Sequence, residues 1–469
     1  KGFPDTRVVR AVTRNKSASF NILKGGDNFF SIIHEIGFVM LRYLFFCIFV
    51  SCLMEKMYKR LETDEWDFKG SDTKEYTHGY HNYPAMMIPQ IARRLIEEYA
   101  PAGKVGLLFD PYMGSGTSLV EASIAGINSI GTDINPLAWL IAKVKTTSYD
   151  PNEIEKAFGA LQNALSGYAE DNVRNRDFTH ITNWDYWYGR ESLLKLSFIQ
   201  QNIDLVSEEI RSFFELALVE TVRDVSFTRN GEFKRFRMQE EKIRTFHPDV
   251  FGLFEAKVRR NAIGLSKYCG IENKGRVNTY AFDSSRPFPN NVVADGSVDI
   301  VVTSPPYGDS RTTVAYGQFS RWANEWFGFE HAKTLDNYLM GGKTAREVLF
   351  ETSSIKTELE AIRNLDKKRY LEVVSFLNDY NASIRNVARK LRRGGRVCYV
   401  VGNRTVKGIQ ISLDYFTAEM FEQNGFQHEI TIVRAIPNKR MPSKTSPTNE
   451  KGKKVSTMVK EYIVIMTKR

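Results

Sequence analysis

The stretch FDPYMGSGTSLVEASIAGINSIGTDINP, residues 109–136, decides the fold, because its hydrophobic period switches between strand and helix within one short segment. VGLLFD, 105–110, is an apolar run suited to a strand buried on both faces, and Asp110 closes it. A glycine-bearing turn of Gly114, Ser115, Gly116 and Thr117 leads into a helix over 117–126 that ends at Gly126. SIGTDINP, 129–136, reads as a second strand closing at Asp133, and LAWLIAKVKTT as the helix after it. Upstream, PQIARRLIEEYA, 89–100, sets Ile91, Leu95, Ile96 and Tyr99 on one helical face. Helices alternating with buried strands imply an α/β fold with a mostly parallel sheet and right-handed crossovers.

Further along, the pattern changes. Residues 150 to about 274 read as a mostly helical insertion, aromatic-rich around Trp184, Tyr186, Trp187 and Tyr188 and basic around SFTRNGEFKRFRMQ, 226–239. Strand signals return in VNTYAFD, 277–283, and SVDIVVTSPPY, 297–307. A polar region over 308–370 then precedes the long helix YLEVVSFLNDYNASIRNVARKLRRGG and the strand RVCYVVGN. The tail, from FQHEITIVRA to VKEYIVIMTK, suits a terminal antiparallel pair, joined by a mobile basic loop over 437–454.

In an open α/β sheet, ligands sit outside the carboxyl ends of the strands. Glycines there let the backbone approach a ligand, and a helix N-terminus offers free N–H groups to an anion. Asp133 at a strand end can accept both hydroxyls of a ribose, and Asp283, closing a third strand, can accept from the amino group of an adenine. An adenosine bearing a carboxylate tail satisfies the set, and S-adenosylmethionine is such a molecule. Ser304, Pro305, Pro306 and Tyr307 supply a hydroxyl, backbone carbonyls fixed by proline rings and an aromatic face. Two acceptors aimed at the hydrogens of an exocyclic amine would direct its lone pair at a methyl group. Tyr307 could stack on the base once it leaves the duplex.

These motifs resemble those of the DNA amino-methyltransferases, which methylate cytosine N4 or adenine N6 and commonly accompany restriction enzymes. DPYMGSGT resembles that family's cofactor motif, through Asp110, Gly114, Gly116 and Thr117; TSPPY resembles its catalytic motif in the form most associated with cytosine N4. YHNYPAMMIPQIARRLI, 80–96, resembles the segment that closes over the methionine end of the cofactor, with Tyr83 and Pro84 as the nearest matches. LRRGGRVCYVVGN, 391–403, is also familial in character. The resemblance implies a Rossmann-like S-adenosylmethionine-dependent methyltransferase fold with a terminal antiparallel strand. It also implies double-stranded DNA as substrate, a cognate restriction endonuclease as companion and a cytoplasmic setting. Alternatives are adenine N6 as the target, an RNA or a protein glutamine as the substrate, and a DNA-binding regulator on a degenerate methyltransferase fold.

On this reading residues 75–149 form the cofactor-binding half, 150–275 the helical insertion with a possible role in target recognition, and 276–469 the catalytic half. The apolar stretch 36–54, interrupted by Arg42, is long enough to suggest a membrane anchor. An extended reading frame upstream of Met54 or Met57 accounts better for residues 1–53, since nothing downstream has membrane-protein hydropathy. Sixty-five Lys and Arg against 55 Asp and Glu, a formal charge of +10, suit a polyanionic partner. Candidate phosphate contacts are Arg229, Lys234, Arg235 and Arg237 in the insertion, Arg311 past the catalytic motif, and Lys439 and Arg440 in the late loop. A solvated helix face explains the insertion cluster equally well. Methylation at cytosine C5 requires a thiolate nucleophile, which enzymes of that type place after a proline; none of Cys47, Cys52, Cys269 and Cys398 follows one. The seven histidines show no metal-ligand spacing, so no metal is assigned.

Overall fold

The computed structural model describes residues 58–469, except 85, 101–105, 230–233, 308–309, 437–443, 446–454 and 457–458. The readings for 1–53, and for Lys439 and Arg440, fall outside the described residues. Among the described residues no helix is long and apolar enough to cross a membrane.

Twelve strands occur among the described residues: β1 Arg60–Glu62, β2 Leu108–Asp110, β3 Ser129–Asp133, β4 Val277–Ala281, β5 Val298–Thr303, β6 Leu391–Val401, β7 Thr405–Val406, β8 Ile409–Gln410, β9 Phe426–Ala435, β10 Lys444–Thr445, β11 Val455–Ser456 and β12 Lys460–Lys468. Eight of them form one sheet in the order β1-β9-β12-β6-β5-β2-β3-β4. All pairings in it are parallel except those of β12, which runs antiparallel to both β6 and β9. This is the expected α/β sheet, with its antiparallel strand at the chain's end. Every residue of β5 is buried, as a central strand covered on both faces requires.

The helices that position the site are α1 Pro89–Tyr99, α2 Thr117–Ile124 and α3 Pro136–Thr146; the insertion adds α4 Pro151–Ser166, α5 Arg190–Ile203, α6 Glu208–Asp224 and α7 Val250–Cys269. Downstream come α8 Ser310–Trp326, α9 Lys356–Leu365, α10 Lys367–Lys390 and α11 Leu413–Glu422. Asn135 begins α3 by accepting from the Leu137 N–H at 3.2 Å, with Pro136 as its first helical residue. The sheet core joins Ile91 and Leu95 of α1 and Leu119 and Ala122 of α2 to Leu108, Ile300, Val302 and Cys398. A second core runs from Leu137, Leu140, Ile141 and Val144 of α3 into the helices between β3 and β4, so those helices share buried surface with α3.

Three local readings are corrected. The polar region 308–370 contains α8 and α9. Helix α8 is held by burial of Phe319, Trp322 and Ala323 in the same core as the helices between β3 and β4, an i, i+3, i+4 spacing present in the sequence within an otherwise polar segment. In the basic segment 226–239 the described flanks pair in antiparallel fashion rather than as a helix: Thr228 bridges Arg237, Arg229 N–H donates to Phe236 O, and Met238 N–H donates to Phe227 O, both at 2.8 Å. Strand β5 stops at Thr303, short of Tyr307, because Pro305 and Pro306 have no N–H to give a neighbouring strand.

Candidate active site

Strands β5, β2, β3 and β4 are successive neighbours, so Thr303, Asp110, Asp133 and Ala281 end side by side at one edge of the sheet. Thr303 Oγ1 donates to Asp110 Oδ1 at 2.5 Å, and the Tyr112 N–H donates to the same oxygen at 3.0 Å. The catalytic-motif strand is thereby tied directly to the cofactor-motif strand.

Between β2 and α2 the turn uses its glycines for two separate reasons. Gly114 (φ +47°) sends its N–H to Asp133 Oδ2 at 3.0 Å. Gly116 (φ +77°) caps α2, and a Cβ there would lie 2.9 Å from Ala142 Cβ and 3.1 Å from Ala142 Cα of α3. Asp133 Oδ1 accepts from the Asn135 N–H at 2.8 Å. Two of the roughly four acceptor positions of a carboxylate are thus used, leaving capacity for a ligand hydroxyl pair. Burial pushes the carboxyls of both Asp110 and Asp133 up to about 6.

A cleft of about 920 Å³, counted with the solvent space at its open mouth, lies along this edge. Of the expected cofactor residues, Tyr83, Pro84, Asp110, Gly114, Ser115, Thr117, Asp133 and Asp283 line it; Gly116 sits behind, against α3. Of the expected catalytic residues, Ser304 and Pro306 line the same cleft, whereas Pro305 is buried and Tyr307 stands behind Ser304. The Tyr307 hydroxyl lies 3.0 Å from Ser304 Oγ and donates to Glu461 Oε1 at 3.3 Å. Asp283 keeps one oxygen on the Ser285 N–H and hydroxyl, 2.9 and 2.7 Å away.

The structure adds residues that the sequence did not single out. Asn135 Nδ2 donates to the Tyr83 hydroxyl at 2.9 Å and to Ser320 Oγ at 2.6 Å, which ties the 80–96 segment and α8 to the tip of β3. An Asn-Pro pair opening a helix was the available signal. Ile134 and Phe282 bring apolar surface beside Asp133 and Asp283, and Tyr316 of α8 lines the wall beside Tyr83, ring centroids 6.1 Å apart. Tyr338, Leu339 and Met340 close the far side; nothing local in the sequence marks them.

The basic candidates have separate surroundings. The Arg235 guanidinium packs 4.7 Å from the Trp322 ring, and burial lowers its pKa. Arg237 donates from Nε to Tyr186 O at 2.9 Å and pairs with Glu240. Arg229 lies 5.0 Å over the Phe236 ring, and Lys234 is exposed. Arg311 is in α8, but its side chain is outside the described residues. Trp187 and Tyr188 pack on Trp322, at 5.2 and 5.7 Å, while Tyr186 is exposed. His78 and His81 are buried, with His78 Nε2 2.8 Å from Glu121 Oε1, and among the described residues no group of three His, Cys, Asp or Glu could hold a metal ion.

A mostly parallel sheet with two acids and a glycine turn at neighbouring strand tips is the nucleotide-cofactor crevice of a Rossmann-like fold. A model of the N6/N4 methyltransferase family, described as DNA methylase, matches residues 51–143. The chain is 38% identical over 440 residues to the Type II methyltransferase M.MvaI of Kocuria varians, which covers 88% of this chain and 96% of that protein. It is 31% identical over 163 residues to the Type II methyltransferase M.MjaII of Methanocaldococcus jannaschii, over 32% of this chain and 30% of that one. A crystal structure of a TehB-like SAM-dependent methyltransferase from Corynebacterium glutamicum matches at TM-score 0.28 and 10% identity, covering 81% of this chain and 87% of that one. The chain belongs to the Type II DNA amino-methyltransferases of restriction-modification systems, enzymes that draw their methyl group from S-adenosylmethionine.

Proposed function

We propose that this protein methylates the N4 amino group of cytosine in double-stranded DNA at a specific site. The observation that carries the reading is that Ser304 opens into the same cleft as Asp110, Asp133 and Asp283. The donor set fits the cofactor: Asp133 has acceptor capacity for a ribose, Asp283 for an adenine amine, and Ile134 and Phe282 offer apolar faces between them. The start of α2, with Ser115 and Thr117 on the cleft, would receive the methionine carboxylate. When bound, the cofactor supplies a methyl group on a positively charged sulfur.

The chain's own residues do the rest. Ser304 Oγ and the carbonyl of Pro305 accept from the two hydrogens of the target amine. This holds the nitrogen pyramidal with its lone pair facing the cofactor half of the cleft. Positioning of this kind supplies much of a transfer reaction's acceleration. The serine form of the motif favours cytosine N4 over adenine N6. The double-stranded DNA is held by basic surface that includes the exposed Lys234, and the base must leave the stack to reach Ser304. A cognate restriction endonuclease and a cytoplasmic setting complete the reading.

The test is tritiated methyl transfer to duplex DNA, with tRNA and ribosomal RNA as controls, followed by nucleoside mass spectrometry. N4-methyldeoxycytidine is the expected product. N6-methyldeoxyadenosine would move the target to adenine, and label in RNA alone would overturn the DNA assignment.

A further inference from the structure

Ser304 can act as an acceptor for an amine only if its own hydrogen points elsewhere, and a lone serine hydroxyl rotates freely. Here it is not alone. Ser304 Oγ and Tyr307 Oη are 3.0 Å apart, Tyr307 Oη donates to Glu461 Oε1 at 3.3 Å, and the other Glu461 oxygen is paired with Arg434. Arg434 is fixed in turn, donating from Nε to Trp66 O at 2.7 Å and from its second terminal nitrogen to Asp67 O at 3.1 Å. Glu461 and Arg434 are direct cross-strand partners on β12 and β9.

Each link constrains the next. An ionised carboxylate only accepts, so Tyr307 must give its hydrogen to Glu461; its oxygen is then left to receive the hydrogen of Ser304. The lone pairs of Ser304, the member of this chain that lines the cleft, are consequently turned toward the substrate. Burial and the nearby Glu461 charge raise the Tyr307 pKa, so the phenol keeps the proton that it donates. β12 can deliver this acid because it runs antiparallel. Glu461 stands at its N-terminal end, which lies at the edge where the parallel strands finish.

We infer that Glu461, held by Arg434, is a positioning residue that polarises the Tyr307–Ser304 hydrogen-bond chain and so makes the site select a hydrogen-bond donor, an exocyclic amine, over a carbonyl at the same place on the base. The inference rests on the proposed amino-methylation and adds the source of its polarity.

Glu461→Gln tests it sharply. Arg434 only donates, so it draws the amide oxygen to itself and turns the amide NH₂ toward Tyr307. The chain then reverses, and the Ser304 hydrogen points at the target. The expected result is a fall in kcat of about 100-fold with cofactor Kd within twofold of wild type. Tyr307→Phe frees Ser304 to rotate and should cost about tenfold. Adding it to Glu461→Gln should restore activity to the level of Tyr307→Phe alone. In binding assays on the located target site, wild type should favour cytosine over uracil, and Glu461→Gln should lose or invert that preference. Thermal unfolding of each variant separates polarity from folding, and the comparison of the double variant with Tyr307→Phe holds even where Glu461→Gln lowers stability. A multiplicative loss in the double variant, or an unchanged kcat and base preference in Glu461→Gln, would overturn the inference while leaving amino-methylation intact. Absence of any methyl transfer by wild-type protein would instead sink the underlying function.

Discussion

Lowering the pH should unload the cofactor cleft, with a slope set by two carboxyls. Burial raises Asp110 and Asp133 to about 6, and each lines the cleft as an acceptor. Below that pH a protonated acid has lost acceptor capacity that a ribose hydroxyl or an amine would use. At pH 5, one unit below, only about one-eleventh of each is ionised, so each required carboxylate weakens binding about tenfold, or ~1.4 kcal/mol. If both are needed, S-adenosylmethionine should bind about 100-fold more weakly at pH 5 than at pH 7.5. Calorimetric titration at both pH values measures this directly. Asp133→Asn should bind more weakly at pH 7.5 and show about half the logarithmic slope, since Asp110 still titrates. The stability of the ligand-free fold has the opposite sign. Native carboxyls raised to about 6 bind more protons than the unfolded chain between about pH 4 and 6, so their contribution falls as pH rises through that window. A wild-type affinity equal at pH 5 and 7.5, or an unchanged slope in Asp133→Asn, would refute the reasoning.

Gly116→Ala combines a left-handed backbone with a Cβ driven against Ala142, and it should destabilise the protein by about 2–5 kcal/mol, read as a lowered Tm. Ser304→Ala should leave cofactor binding within twofold and reduce methyl transfer by about 100-fold or more; a parallel loss of cofactor affinity would contradict that division. Lys145 is buried, its Nζ has no hydrogen-bond partner among the described residues, and burial pushes its pKa down to about 7. With a lowered native pKa, the unfolded chain takes up more protons between about pH 7 and 10.5, so this group's contribution to stability improves as pH rises. Lys145→Met should therefore raise Tm most at pH 6.5, with the gain shrinking toward pH 10; equal gains at both would be evidence against a buried neutral lysine.

Much of the cofactor half was legible because its signals are local. The buried runs that became β2 and β3, the turn from Gly114 to Thr117, and the acids at Asp110 and Asp133 each declare themselves within a few residues. Helix α8 carries its buried stripe, Phe319, Trp322 and Ala323, at helical spacing, but it was passed over because Ser320, Asn324 and Glu325 beside the stripe are polar and find their tertiary partners only in the folded chain. The antiparallel pairing of 227–229 with 236–238 was missed because Arg235 and Arg237 look like a charged surface in the sequence, but their guanidinium groups pack over Trp322 and Tyr186.

By itself the sequence determined the sheet class, the glycine turn and the identity of the acids, since strand burial, left-handed backbone and charge are properties of short segments. Tertiary structure alone decided that Asn135 binds Tyr83 and Ser320, that Tyr338 to Met340 close the cleft, and that Glu461 reaches Tyr307 from 154 residues away. Those contacts depend on the order of strands in the sheet and on the reversed direction of β12. No local pattern of side chains encodes either one.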